Sequence, residues 1–419
     1  MEKFIALRRK PQSVAMGLTT MSFEERRQKL VAATPEAEQS DALKGLGLKE
    51  VTAEERAPEV ANAFQQLDHV GAYVVETASE TTAAKCKEVL EDEYLIVPNI
   101  ELALPTPKVS ASPSRRPRNL QGWSAESGVA QARKDGVTGK GVLVGVLDTG
   151  CDADHNELKS KHIEFRYVPL HPNPDDMRAC RGFDTDGHGT HVCGIIAGKN
   201  VGVAPDVDLM VASVIESESH KTSLERIIIG LNWILSQFKI EANLTKPTII
   251  SMSLGFLPEW VSGPQFGSVL DGMKLIIATL ANDFDVLPVI AIGNDGPGKM
   301  RLPGYLPEVL AVGAVDTKSK PADFSGGGLS PISGDPEPNI AGYGVDVFSS
   351  LERDADNRSW YTKLSGTSMA TPYVAGIAAL VAAAHPGQHG QKLRATLLNN
   401  AQPLPWPPNR VGKGLARFT

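Results

Sequence analysis

The sequence predicts an α/β protein of three layers, with a mostly parallel central sheet between helices, preceded by a small α+β unit. Three observations carry that class. From Asn119 onward, apolar strand-like runs alternate with helical stretches, the order a doubly wound parallel sheet requires. Runs such as Gly141-Val142-Leu143-Val144-Gly145-Val146-Leu147 are continuously apolar, as in a strand buried on both faces. The first 110 or so residues differ in texture, with charged helical stretches and then a β-α-β pattern.

Taken in order, helical stretches are expected around Phe23 to Val31 and Ala53 to Leu67. A strand at Ala72 to Glu76, a helix at Thr81 to Leu90 and a strand at Tyr94 to Val97 follow. Pro105 to Pro117, rich in Pro and Ser, has the composition of an exposed linker, so domains are expected at 1–110 and 111–419. Beyond it come a strand ending in Asp148, a helix from His188, the strand Leu209 to Val214 and the amphipathic helix Ser223 to Phe238. Then follow the strand Thr248 to Leu254, the helix Phe266 to Ala281, and strands at Val286 to Ile292 and Val309 to Val315. A central helix opened by Ser368 and a last helix from Gln391 to Asn400 complete the pattern.

Composition excludes some functions. With 42 basic and 49 acidic residues the net charge is −7, which gives no electrostatic reason to expect nucleic acid. The longest apolar runs, such as Ala375 to Ala384, are too short and alanine-rich to span a bilayer, so no membrane partner is expected. Met1 to Lys10 lacks the apolar core of a secretory leader, which predicts a cytoplasmic chain or one exported by a non-classical route. Four cysteines, Cys86, Cys151, Cys180 and Cys193, are too few and too irregular for a disulfide scaffold.

The chemistry lies in three polar turns. Ser365-Gly366-Thr367-Ser368-Met369-Ala370-Thr371-Pro372 feeds into a small-residue apolar run, which places Ser368 at a helix start. Free backbone N–H groups and the positive dipole end lie there, so a serine attacking a carbonyl has donors at hand for the oxyanion. Pro372 is expected to be tolerated as a first-turn residue. Serine needs a base, and the base needs an orienting group. Asp148-Thr149-Gly150 closes an apolar strand, and Asp186-Gly187-His188-Gly189-Thr190-His191 turns into a helix. An aspartic-protease reading of Asp148-Thr149-Gly150 requires a second such triplet, and none occurs. A zinc reading of His188 and His191 lacks a third ligand at helical spacing, so neither metal nor cofactor is expected.

In the order Asp, His, Ser these segments resemble the subtilisin-like serine peptidases, the subtilases. Ser251-Met252-Ser253-Leu254-Gly255 and Ala291-Ile292-Gly293-Asn294 resemble that family's substrate-pairing edge and the strand end carrying its oxyanion asparagine. The resemblance implies Ser368 as nucleophile, His188 as base, Asp148 as its orienting acid and Asn294 as oxyanion donor, with His191 structural. It further implies that Ser253, Leu254, Gly255, Ala291 and Gly293 line an extended polypeptide substrate. Arg301 is placed near the pocket for the residue before the cut, where a guanidinium would favour an acidic side chain. The N-terminal α+β unit resembles the family's propeptide, which implies a self-processing zymogen inhibited by its own N-terminal domain. Its tail would be Glu101-Leu102-Ala103-Leu104, with processing between Leu102 and Arg116.

The departures are also specific. The family's calcium loop is abbreviated at Ala197 to Pro205 and holds no carboxylate, Ile340-Ala341-Gly342-Tyr343-Gly344 and Pro372-Tyr373 replace commoner forms, and His220-Lys221-Thr222 replaces a glycine-rich substrate edge. The alternative function, a non-catalytic subtilase-fold binding protein, predicts loss of a triad member or of the asparagine. None is lost.

Overall fold

The computed structural model describes the chain except residues 1, 11, 34–36, 52–61, 104–106, 116–121, 170–179, 217–220 and 262. The N-terminal region contains β1 (Glu2–Arg8), α1 (Gln12–Ala15), α2 (Phe23–Ala32), α3 (Ala37–Gly45), β2 (Lys49–Glu50), β3 (Ala63–Leu67), β4 (Ala72–Thr77), α4 (Glu80–Leu90) and β5 (Tyr94–Pro98). Its strands form a five-stranded sheet in the order β2-β3-β4-β1-β5.

The expected β-α-β core is present, one expectation needs correction, and one strand was not expected. Ala63 to Leu67 forms β3 and not the end of a helix, while residues 53–61 of that stretch lie outside the described residues. Its Phe64 and Leu67 are buried against the sheet's two faces, so tertiary pairing overrides local charge patterning. The opening segment, expected only to be a non-leader, is strand β1, between β4 and β5. Phe4 and Ala6 join the region's own core with Tyr73 and Leu90, whereas Ile5 and Leu7 point into the core of the following layers. A strand buried on both faces has no alternation to betray it.

Two short strands lead out of this region, β6 (Glu101–Ala103) and β7 (Lys108–Ser114). The Pro/Ser-rich stretch expected as a linker thus forms an exposed edge strand. Its residues carry few apolar groups, and backbone pairing with the strand Trp360–Ser365 places them.

The remaining chain holds α5 (Val129–Lys134), β8 (Leu143–Asp148), β9 (Ile163–Tyr167), α6 (His188–Ala197), β10 (Asp208–Ser213), β11 (Lys221–Ser223), α7 (Leu224–Ser236), α8 (Glu241–Leu244) and β12 (Thr248–Met252). There follow α9 (Gln265–Ala278), β13 (Leu287–Ala291), β14 (Leu310–Val315), β15 (Gly328–Leu329), β16 (Pro336–Glu337), β17 (Ile340–Tyr343), β18 (Val347–Leu351) and β19 (Trp360–Ser365). Three helices close the chain: α10 (Thr367–Ala384), α11 (Gly390–Asn400) and α12 (Pro408–Val411).

Seven strands make one sheet in the order β17-β14-β13-β12-β8-β10-β9, with every pairing parallel. The inner strands β8, β12, β13 and β14 are fully buried because helices cover both faces, whereas the edge strand β9, with Glu164 and Arg166, is not. One apolar cluster unites α6 and α10 with the sheet, and a second unites α7 and α9 with its other face and with Ile5, Leu7 and Val97 of the N-terminal sheet. Helix α10 is buried from Thr367 to Ala382. It is the one helix among the described residues long and apolar enough to cross a membrane, and 89% of that window is buried inside the protein. It is here the core helix of the sheet.

Candidate active site

Asp148 ends β8, and the carboxyl ends of parallel strands are where such sheets collect their chemistry. Its Oδ1 is 2.7 Å from Nδ1 of His188, the first residue of α6. Both side chains are buried. Burial by itself would push the imidazole down, but Asp148 by charge and hydrogen bond, with Asp186 and Asp184 behind it, raises its pKa above the usual value. His191, one turn on, lies 3.4 Å from the Thr362 carbonyl and is lowered to about 3 by burial and the neighbouring His188. It is a neutral core histidine.

A clamp that sequence reasoning did not find sets the Asp148–His188 contact. Thr149 Oγ1 donates to Asp184 Oδ1 at 2.7 Å and accepts the Gly189 N–H at 2.9 Å. Asp184 Oδ2 accepts both the N–H and the Oγ1–H of Thr190, each at 2.6 Å. One threonine and one carboxylate therefore tie the strand end to the first turn of the histidine helix. The approach is so close that a side chain at position 189 would lie 2.1 Å from the Gly150 carbonyl oxygen. The signal was present as Asp184, four residues before His188, but its partners are fixed only by the fold.

Ser368 is the second residue of α10, which packs against α6. Its Oγ and His188 Nε2 are both buried, and neither makes a hydrogen bond among the described residues. The structure thus joins Asp148 to His188 and leaves the serine–histidine contact open, as is common before substrate closes such a bond. Pro372 corrects an expectation, because it lies in the second turn of α10 and removes the helical donor to the Ser368 carbonyl. Ser253 Oγ takes that place at 3.1 Å, tying the end of β12 to the serine.

Asn294 follows β13. Its Oδ1 accepts the N–H and the Oγ1–H of Thr367, both at 2.8 Å, and its Nδ2 lies beside Gly366, 3.1 Å from where a side chain there would start. With the amide oxygen so engaged, the Nδ2 end of Asn294 is turned toward Gly366, the residue before α10.

The residues expected to line substrate are gathered here too. Ser253, Leu254 and Ala291 are buried at the strand ends, and Gly255 and Gly293 both pack on the Arg301 side chain. Arg301 itself is buried and forked onto Asp295, with Nε to Oδ2 at 2.7 Å and Nη2 to Oδ1 at 3.0 Å, and it donates to the Gly255 carbonyl at 3.3 Å. Its guanidinium also lies 4.8 Å from the Trp260 ring centroid. Asp295 makes the pair net neutral, so the pocket edge does not carry the lone cation expected from Arg301.

Cys151 and Cys193 are buried side chains behind Asp148, and contact with Cys151, together with burial, raises the Cys193 thiol well above its usual value. The loop from Ala197 to Pro205 is held by protein groups. Buried Glu157 accepts from the N–H and Nδ2 of Asn200 at 2.7 and 3.0 Å and from Tyr361 Oη at 3.1 Å, while Arg133 donates to the Asn200 and Gly202 carbonyls. No group of three or more metal-ligating side chains occurs among the described residues.

The N-terminal region reaches this site. Strand β6 pairs antiparallel with β11, Ala103 opposite Lys221 and Leu102 opposite Thr222, while His220 and Leu104 lie outside the described residues. Leu102 is buried in the apolar cluster that holds Val168, Ile215 and Leu224. Beyond the gap, Pro107 packs beside Gly366, and β7 pairs with β19, which runs directly into Ser368.

Residues 139–415 match the family model described as the subtilase family. The chain is a subtilase. This subtilase is 42% identical over 379 residues to the subtilisin-like protease PopC of Myxococcus xanthus, covering 88% of this chain and 79% of that protein. A match of that length includes part of the N-terminal region as well. It is 34% identical to an intracellular serine protease of Paenibacillus polymyxa, over 67% of this chain and 80% of that one. To the major intracellular serine protease of Bacillus subtilis it is 32% identical, over 68% and 83%. As a member of this family the chain is a serine endopeptidase acting on polypeptides.

Proposed function

We propose that this subtilase cuts extended polypeptides through Asp148, His188 and Ser368 and is made as a zymogen whose residues 1–110 inhibit it. Ser368 attacks the peptide carbonyl while His188 takes its proton and later returns it to the leaving amine, and Asp148 holds the imidazole tautomer and stabilises its charged form. Asn294 and the Ser368 N–H receive the oxyanion. Substrate adds as a strand along Ser253 to Gly255, with Ala291 and Gly293 beside it. Arg301, with Asp295, borders the pocket for the residue before the cut.

One observation carries the zymogen reading: the chain's own β6 lies as an added strand on β11, and four residues later Pro107 is beside Gly366. Ala103 and Pro107, the described ends on either side of residues 104–106, are thus within four peptide units, at most roughly 14 Å, of each other. We place processing between Leu102 and Arg116, the segment that contains this connection. Mass spectrometry of the purified full chain beside Ser368→Ala tests this. Trimming within that segment only with Ser368 supports it, and identical trimming of both proteins refutes it.

A further inference from the structure

Far from the cleft, the second helix of the N-terminal region inserts an arginine into the following layers. Arg27 is fully buried. Its Nε donates to the Phe284 carbonyl at 2.7 Å, Nη1 to Leu244 and Lys246 carbonyls at 3.1 and 2.8 Å, and Nη2 to the Asp285 carbonyl at 3.3 Å. The guanidinium is sandwiched between aromatic rings, 4.2 Å from the Phe238 centroid and 4.9 Å from that of Phe23. Arg26 adds a bond to the Asp283 carbonyl at 2.7 Å, and Ser13 one to the Asp283 carboxylate.

Four carbonyls and a ring face match a planar donor fork and no other common side chain. Burial lowers the group to about 9, against the attraction of Asp285 and Glu24 and with the repulsion of Arg26, and it remains charged at neutral pH. The carbonyls belong to backbone shaped for presenting them. A π-helical turn, Thr279–Asp283, precedes Phe284, and Asp285 has a left-handed φ of 52°. Such departures mark positions that the surroundings must hold in place.

Leu244 and Lys246 lead into β12, and Phe284 and Asp285 lead into β13. These are the amino ends of strands whose carboxyl ends lead to Ser253 and Asn294. A five-residue strand such as β12 separates the two places by about 17 Å.

We propose that the amino ends of β12 and β13 form a guanidinium-binding exosite, and that Arg27 seated there holds the N-terminal region after its covalent connection is cut. The retention rests on the zymogen reading above; the exosite does not. Withdrawing Arg27 takes a donor from all four carbonyls, that of Lys246 keeping only the Thr248 hydroxyl at 3.1 Å, which is a cost to its release. Release, and hence activation, is therefore limited by the exosite and not by the cut.

The test uses the full chain with Ser368→Ala, in which residues 116–121 are replaced by the recognition sequence of a foreign endopeptidase. The cut is then made from outside and does not depend on self-processing. Dissociation of the two fragments is followed by native mass spectrometry. Arg27→Met should release the N-terminal fragment at least tenfold faster than the parent, and faster than Leu102→Ala. Equal lifetimes for Arg27→Met and the parent, or a larger effect of Leu102→Ala, overturn the proposal. Should Arg27→Met fail to fold by circular dichroism before cutting, Arg27→Lys replaces it, since an ammonium cannot span four carbonyls, and parent-like retention is again the refuting result. Millimolar methylguanidinium should speed release of the parent fragment more than methylammonium does; equal effects of both refute guanidinium recognition. Absence of self-processing in the Ser368 protein removes the zymogen reading and leaves these outcomes intact.

Discussion

Asn294 gives both hydrogen-bond sites of its amide oxygen to one residue, the N–H and hydroxyl of Thr367 at 2.8 Å each, which fixes where its amide N–H group points. An oxyanion exists only along the reaction path, so this orientation should affect turnover and not substrate affinity. Thr367→Val, which keeps the backbone bond and loses the hydroxyl, should lower kcat by about tenfold, and Asn294→Ala by about 10²–10³, the latter value being that of subtilisin's own oxyanion asparagine. Steady-state kinetics on a peptide substrate check this, and an effect confined to KM contradicts it.

Ser368→Ala should remove peptidase turnover by roughly six orders of magnitude, a figure carried over from subtilisin, while circular dichroism stays unchanged. Hydrolysis retained at the wild-type rate would exclude Ser368 as nucleophile.

The pH profile should follow His188. The base acts when neutral, and Asp148 raises the imidazole above its ordinary 6.5, so kcat/KM should rise with pH through a limb above that value. Asp148→Asn should move the limb toward acid and cut turnover about 10⁴-fold. The same pair stabilises the fold fully below pH 6.5, and that contribution is lost as pH rises through the raised value. A limb unmoved by Asp148→Asn is the contrary result.

Arg301 and Asp295 should act on specificity as one unit. The paired guanidinium gives the parent little selection for acidic residues before the cut, whereas Asp295→Ala exposes the cation to substrate and should enrich Glu and Asp there in a peptide-library profile. No change in the profile on Asp295→Ala sets the pair outside the pocket.

The loop after α6 should be insensitive to chelators, because Glu157 and Arg133 already satisfy its N–H and carbonyl groups. Glu157→Ala should cost about 1–3 kcal/mol for each donor left buried and unpaired, seen as a lower Tm. A Tm that falls on adding EDTA to the parent contradicts the assignment.

Much of the site was legible because its residues sit in contiguous motifs at element ends. Asp148, His188, Ser368 and Asn294 each follow or open an apolar run whose type the sequence declares. The parallel sheet was legible for the same reason, in runs such as Thr248 to Met252. What escaped depends on contacts across the fold. Asp184 reads as one of several loop acids until Thr149 and Thr190 close on it, and Asp295 cancels Arg301 only because a turn folds one onto the other. Residues 108–114 have a linker's composition and are strand only because β19 lies beside them. Strand β1 has a charged surround and no alternation, since both its faces are covered.

Helix α10 has no exposed face along its first sixteen residues, so Ser368 is mounted on a helix packed on every side. Gly376, two turns inward, is in such tight register with Val203 that a methyl group there would lie 2.6 Å from the valine Cβ. Either Val203 or the helix must give way to a methyl group there, and a helix shift that carries Ser368 by about 1 Å is expected to cost roughly 10²-fold in rate. On the proposed role of Ser368, catalytic precision is thus exposed to substitutions in the interior that touch neither substrate nor any residue of the cleft.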